Sequence, residues 1–98
     1  MTETILKMVC VRLNRIYTPT GSGPEYDLTE YLRDRISAAI RELQRMGITP
    51  QEEPADELLV ADYVCWEYAN RDKAERMPDW LRIKLWERQM AEGTGDDA

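Results

Sequence analysis

The 98-residue sequence predicts an all-α fold, a small bundle of about four helices around a central hydrophobic helix. Apolar residues recur at helical spacing in several segments. Clusters of proline and glycine separate these segments, and the segment at 55–70 is apolar on every side. A chain of this length can form a single domain with one modest core. We therefore expect one helical domain over residues 1–92 and a disordered acidic tail at 93–98.

The first predicted helix spans residues 3–17, with Thr2 as its N-cap. The segment that follows, TPTGSGPE, contains prolines and glycines that cannot continue a helix. We interpret residues 18–26 as a flexible linker, because GSG here lacks the lysine and the spacing of a phosphate-binding loop. The apolar residues of the helix share one face, namely Ile5, Leu6, Val9, Leu13 and Ile16.

The second predicted helix spans residues 27–46. Asp27 opens it, and Glu30 three residues later completes a capping box. Gly47 follows the last periodic residue and is expected to take the left-handed C-cap conformation. The apolar stripe of this helix consists of Leu28, Leu32, Ile36, Ala39, Leu43 and Met46.

The central helix is predicted over residues 54–71, with Pro54 in its first turn. Because it is apolar all round, we expect it to be buried on all sides, or on one side against a partner. It is too short to cross a bilayer and contains two acids, Asp62 and Glu67. Burying an unpaired Asp62 carboxylate would cost several kcal/mol. We therefore predict that Asp62 forms a buried or interface ion pair, with an arginine of the second helix or of a neighbouring subunit, in preference to acting as a catalytic acid.

The last helix is predicted over residues 78–91, because Met77-Pro78 is typical of a helix start. It has two apolar stripes, one of which contains Leu81 and Leu85. One side can pack on the core, and the other is predicted to contact an oligomer neighbour or another partner. The candidate interface residues are Trp80, Ile83, Trp86 and Met90.

Composition excludes several classes of chemistry. The sequence has no histidine, which excludes the usual general base, Ser-His and Cys-His nucleophiles and most zinc sites. Cys10 and Cys65 lie among apolar residues and are predicted to be free thiols, in preference to a disulfide. We expect no enzyme activity, no cofactor, no metal and no small-molecule substrate. With no signal peptide recognised, the expected location is the cytosol.

The net charge of −6 argues against binding to nucleic acid or to anionic lipid. A basic face on the second helix remains the alternative reading, but interleaved acids favour a solvated surface. A helix-turn-helix regulator is disfavoured, because the ITPQEEP connection is long for that motif and no basic recognition helix follows. The arginines of this possible basic face on the second helix are Arg33, Arg35, Arg41 and Arg45.

Three features follow one another along residues 26–90. An Ile, Ala-Ala, Leu stripe ends in Gly-Ile, an apolar helix with aromatic residues runs into an Asn-Arg turn, and Met-Pro opens a last helix. They are carried by Ile36, Ala38, Ala39, Leu43, Gly47 and Ile48, by Tyr63, Trp66, Tyr68, Asn70 and Arg71, and by Met77 and Pro78. In these features the sequence resembles the small helical head-tail connector proteins of tailed bacteriophages, also called head-completion or adaptor proteins.

The resemblance implies a structural virion-assembly protein. Its subunits would form a ring that joins the capsid portal to the tail or to a further adaptor, with DNA passing through the centre without sequence-specific binding. Such a protein would be found in the host cytoplasm during assembly and then in the virion. The surplus of apolar surface and the acidic charge are compatible with that role. A small acidic protein-binding module, such as an inhibitor or regulatory partner, is the alternative.

Overall fold

A computed structural model describes residues 1–95, and within them all regular secondary structure is helical. The predicted all-α bundle is therefore confirmed. Residues 96–98 of the predicted tail lie outside the described residues. The four helices are α1 (Thr2–Arg12), α2 (Pro24–Arg45), α3 (Pro54–Ala69) and α4 (Asp79–Gly95).

Helix α1 ends five residues before its predicted end. Asn14 adopts a left-handed backbone conformation with φ of 57°. The N–H of Arg15 donates to the carbonyl of Cys10 at 2.8 Å, and the N–H of Asn14 donates to Val11 at 3.1 Å. These are the two hydrogen bonds of a Schellman motif, which closes a helix. Ile16, predicted on the apolar face of this helix, is consequently exposed on the connection to α2.

The predicted start of α2 is also wrong. The helix begins at Pro24, with Gly23 as N-cap, and the N–H of Asp27 donates to the carbonyl of Gly23 at 2.9 Å. Proline fits the first helical position because its missing N–H would be unpaired there. Thr2 likewise is the first residue of α1, whose N-cap is Met1. Asp27 and Thr2 are therefore inside their helices and not at the caps.

The end of α2 agrees with the prediction for Gly47. This glycine has φ of 88°, and the N–H of Ile48 donates to the carbonyl of Leu43 at 2.9 Å. Leu43 and Ile48 are both fully buried, so the turn directs the chain back into the core. Helix α3 begins at the predicted residue and ends two residues earlier than expected. Helix α4 runs four residues beyond its predicted end, so residues 93–95 of the predicted tail are helical.

Three helices form the centre of the bundle. Each of α1, α2 and α3 packs against the other two, whereas α4, within residues 79–95, packs on α3 alone among the helices. Thr29, a buried polar residue, donates its hydroxyl to the carbonyl of Glu25 and accepts from the N–H of Thr18 at 3.1 Å. The connection between α1 and α2 is thereby fixed to α2. The largest fully buried side chains are Ile5, Leu6, Val9, Cys10, Thr29, Leu32, Ile36, Leu43, Ile48, Val60, Val64 and Leu81.

Candidate interaction surfaces

Helix α4 presents an apolar side to solvent. Leu81 and Leu85 are buried against the rest of the domain, as the two-stripe pattern predicted. The opposite side carries the four candidate interface residues, and each of them is 47–60% exposed. The structure thus brings all four together on one exposed surface, which we call the α4 face. It consists of Trp80, Ile83, Trp86 and Met90.

The α4 face is about as large as the largest apolar patch on a typical monomer. Four large side chains that each expose about half of a typical 150–250 Å² give on the order of 400 Å² of apolar surface. Contiguous patches of about 300–600 Å² on a monomer often have a function in binding. Tryptophan in particular is enriched among residues that dominate binding energies. The α4 face therefore has the extent and the composition of an interaction surface.

Asp62 forms the ion pairs that its burial requires. Its side chain is 13% exposed and lies between α1 and α4, where the carboxylate pairs with Arg12 and, at 3.3 Å, with Lys84. The prediction that its partner is an arginine of the second helix is wrong. Asp62 lies on the side of α3 that faces α1 and α4, so a first-helix arginine reaches it. Lys84 also lies 5.4 Å from the ring centroid of Trp80, which connects this ion pair to the α4 face.

A second ion pair, which the sequence did not indicate, attaches α4 to the start of α3. Asp56 is only 3% exposed and accepts two hydrogen bonds from Arg88, at 2.9 Å from Nε and 3.1 Å from Nη2. The N–H of Gln51 donates to the same carboxylate at 2.8 Å. Burial alone would raise the pKa of Asp56, but these hydrogen bonds outweigh it and the pKa lies below its ordinary value.

Arg88 also joins α4 to the connection between α2 and α3. It donates to the carbonyl of Thr49 at 2.9 Å and to the carboxylate of Glu92 at 2.7 Å. Glu92 in turn accepts from the N–H of Thr49 at 3.3 Å, and the Gln89 amide donates to the carbonyl of Met46 at 2.8 Å. The last part of α4 is therefore held by polar contacts, whereas its first part is held by buried leucines.

A shallow groove between α1 and α3 is a further exposed apolar surface. Val11 is 79% exposed and Leu58 is 49% exposed; Leu58 belongs to the helix that was expected to be buried on all sides or to contact a partner on one side. The groove has a volume of about 550 Å³. We call it the α1–α3 groove; its lining residues are Thr4, Lys7, Met8, Val11, Arg12 and Leu58. Sequence reasoning missed it because Val11 lies outside the apolar stripe of α1.

Two further observations concern possible metal ligands and the two cysteines of the described residues. Among them, no group of three or more cysteine, aspartate or glutamate side chains is arranged to hold a metal ion. Cys10 and Cys65 are free, as predicted, and burial raises the pKa of both thiols. A buried thiol with a raised pKa is a poor nucleophile at neutral pH. None of the helices in residues 1–95 combines the length and the hydropathy that crossing a membrane requires.

Three arginines of α2 form ion pairs. Arg33 pairs with Glu30 and, at 2.8 Å, with Glu3 of α1. Arg35 lies 3.5 Å from Glu67 of α3, and Arg45 lies 3.0 Å from Glu42. Their charges are therefore matched by nearby carboxylates. The interpretation of interleaved acids applies to the pairs within α2, Arg33–Glu30 and Arg45–Glu42, whereas Arg33 and Arg35 also pair with acids of α1 and α3.

Comparison with protein-family models, with curated proteins and with solved structures yields no match to this chain. The surfaces described above are therefore the basis for inferring a function.

Proposed function

We propose that this protein is a structural assembly subunit that associates with further copies of itself through the α4 face. The observation that carries the proposal is the exposure of Trp80, Ile83, Trp86 and Met90 on one side of a helix whose opposite side is buried. Removing large apolar side chains from water favours association by roughly 25 cal/mol per Å². The proposed role has no chemical step.

The specific assembly that we propose is the head-tail connector of a tailed bacteriophage. The resemblance over residues 26–90 supports it. In this role the subunits form a ring between the portal and the tail or a further adaptor. The net charge of −6 per subunit would repel passing DNA and limit its adhesion to the wall of the channel.

The proposal can be tested by light scattering across a concentration series, combined with negative-stain images of any large species. We expect a mass of many subunits and annular particles. A double variant, Ile83→Ser with Trp86→Ser, should remain folded by circular dichroism and lose this assembly. Tyr31→Ser is the matched control, because Tyr31 is an exposed aromatic residue on α2 and outside the α4 face.

The outcomes separate the proposal from its alternative. If the double variant assembles like the wild type, the α4 face is not the contact and the proposal is wrong in that respect. If the wild type remains a monomer at every concentration, self-association is overturned. The alternative of a small acidic module that binds a different protein would then be the better explanation of the α4 face.

A further inference from the structure

We infer that two copies of the chain pair through their α4 faces in an antiparallel arrangement with two-fold symmetry. This inference rests on the proposed self-association and identifies the surface of the second copy that the α4 face contacts. Each copy contributes the same surface, so residues early in one α4 helix lie opposite residues late in the other. The position of the face residues along α4, the charges beside them and the area of the face favour this partner.

The four residues of the α4 face are placed evenly about the middle of their segment. Their midpoint along the chain lies close to Leu85. In an antiparallel pair that crosses at this point, Trp80 lies opposite Met90 of the second copy, and methionine packs favourably against aromatic rings. Ile83 lies nearly opposite Trp86 in the same way. In a parallel pair, Trp80 and Met90 would be roughly 15 Å apart along the axis, because each residue adds about 1.5 Å.

Two charges beside the α4 face are not fully compensated within the chain. The carboxylate of Asp62 is shared between Arg12 and Lys84, so two cations and one anion leave one positive charge there. Lys84 lies 3.3 Å from this carboxylate, and its side chain remains 55% exposed. Glu87 is exposed and, among residues 1–95, pairs with no cation. Lys84 and Glu87 line the same depression and therefore lie on the same edge of α4.

An antiparallel two-fold pair brings these two charges together. The symmetry keeps the same edge of both helices on the same side, so the edge with Lys84 and Glu87 faces its own copy. Lys84 and Glu87 lie on either side of the midpoint near Leu85, so each Lys84 approaches Glu87 of the second copy. Electrostatic complementarity of this kind determines the orientation of an interface.

A parallel pair would lack this complementarity. With 3.6 residues per turn, Arg82 and Lys84 lie on opposite edges of α4, and a parallel pair places these two edges against each other. Lys84 would then face another cation, whereas Glu87 would be five residues, roughly 7.5 Å, from Arg82 along the axis. In the antiparallel pair Arg82 brings no uncompensated charge, because Asp79 holds it at 3.0 Å.

The area of the α4 face suits a contact between two copies of it. Each face supplies on the order of 400 Å² of apolar surface. Because apolar atoms make up about 60% of an interface, this corresponds to about 650 Å² per copy and about 1,300 Å² in total. Specific interfaces bury about 1,200–2,000 Å² in total. The contact closes after two copies, and a larger assembly such as the proposed ring would join such pairs through a further contact.

Reversal of the two charges tests the inference, with the Kd of the pair measured by sedimentation equilibrium over a concentration series. Glu87→Lys places like charges opposite each other twice in every pair and should raise the Kd about tenfold. Lys84→Glu should weaken pairing for the same reason. The double variant Lys84→Glu, Glu87→Lys has opposite charges at both places again, so its Kd should lie within about threefold of the wild type.

Asp34→Lys is the matched control, because Asp34 is an exposed acid on α2 and its replacement changes the net charge as Glu87→Lys does. It should pair like the wild type. An equimolar mixture of the two single variants should also recover pairing, because each contact between unlike variants joins opposite charges. Circular dichroism checks that all variants are folded, and Glu87→Lys alone still tests the contact if Lys84→Glu unfolds.

The outcomes separate this inference from the proposed function. A wild type that stays monomeric, or an Ile83→Ser, Trp86→Ser protein that assembles normally, overturns both. Self-association in which the smallest associated species is not a pair overturns the two-fold contact alone. The same holds if Glu87→Lys pairs as tightly as the wild type, or if the double variant pairs no more tightly than the single variants. Tighter pairing of Lys84→Glu than of the wild type would indicate a parallel contact and overturn the antiparallel one.

Discussion

The guanidinium of Arg88 donates two hydrogen bonds to the carboxylate of Asp56. These bonds join α4 to the first turn of α3, the central helix. Both residues are largely shielded from water. Such a pair is costly to break by removing one partner, because the other charge then remains buried without compensation. The stability of the α3–α4 contact should therefore depend strongly on this pair.

We expect Asp56→Ala to lower the free energy of unfolding by about 3 kcal/mol. This value is at the lower end of the range for breaking a buried ion pair, because Arg88 retains some access to water. The measurement is urea unfolding followed by circular dichroism. The control is Glu42→Ala, which removes the exposed pair with Arg45 and should cost less than about 0.5 kcal/mol. Equal losses for the two variants would contradict a special role for Asp56.

Acid should weaken the contact between α1 and α2. The hydrogen bonds that Glu3 accepts from Arg33, and then from Tyr17, hold the pKa of Glu3 at about 2, below its ordinary value of 4.5. Because the folded-state pKa is the lower one, this carboxylate contributes stability above pH 4.5, and the contribution is lost as the pH falls toward 2.

The Glu3→Gln variant should accordingly be less stable than the wild type at neutral pH, and the difference should shrink between pH 4.5 and pH 2. Urea midpoints measured across that range test this prediction. Glu25→Gln, a substitution of an exposed acid in the first turn of α2, serves as control. If the difference in urea midpoint between the wild type and Glu3→Gln stays constant with pH, the carboxylate charge is not responsible for the difference in stability.

The two thiols should react only when the protein unfolds. Cys10 and Cys65 are buried, and their raised pKa values reduce the thiolate fraction further. We expect no rapid reaction with a disulfide reagent at pH 7 and complete reaction of both thiols in denaturant. Val11→Cys places a thiol at the exposed position next to Cys10 and should react at once in the folded protein. Fast labelling of the wild type would place at least one thiol at the surface.

Gly47 should be sensitive to the type of side chain placed there. Its φ of 88° is unfavourable for residues with a Cβ atom, whereas no neighbouring atom lies within 4 Å of an added Cβ. Gly47→Ala should therefore cost about 1 kcal/mol through backbone strain alone. Gly47→Asn should cost less, because asparagine tolerates the left-handed region better. Thermal unfolding compares the stabilities of the two variants. If Gly47→Ala loses less stability than Gly47→Asn, backbone strain at the positive φ is not the cause.

Much of the fold could be predicted because it depends on local patterns. The 3.6-residue period identified the four helices, and the unequal stripes of the last helix predicted which residues would be exposed. The end of α1 and the start of α2 were missed because two signals competed at each. Asn14 closes α1 within a sequence that continues its apolar period, and Pro24 precedes an equally plausible cap at Asp27.

The remaining features depend on how the helices are placed in space. Asp56 and Arg88 are far apart in the chain, and each resembles an ordinary surface charge in its own segment. Burial of Asp62 could be inferred, but its partner could not, because the choice between α1 and α2 depends on the orientation of α3. The groove at Val11 and Leu58 exists only once α1 and α3 lie side by side.

The attachment of α4 to a single helix has a consequence for hydrogen exchange. The contacts among α1, α2 and α3 do not require α4, so an opening of α4 disrupts Leu81, Leu85 and the Arg88 contacts and leaves the packing of those three helices in place. Sub-global openings of this kind have lower free energies than complete unfolding. The amides of α4 should therefore exchange with deuterated water before those of α2, as one cooperative group.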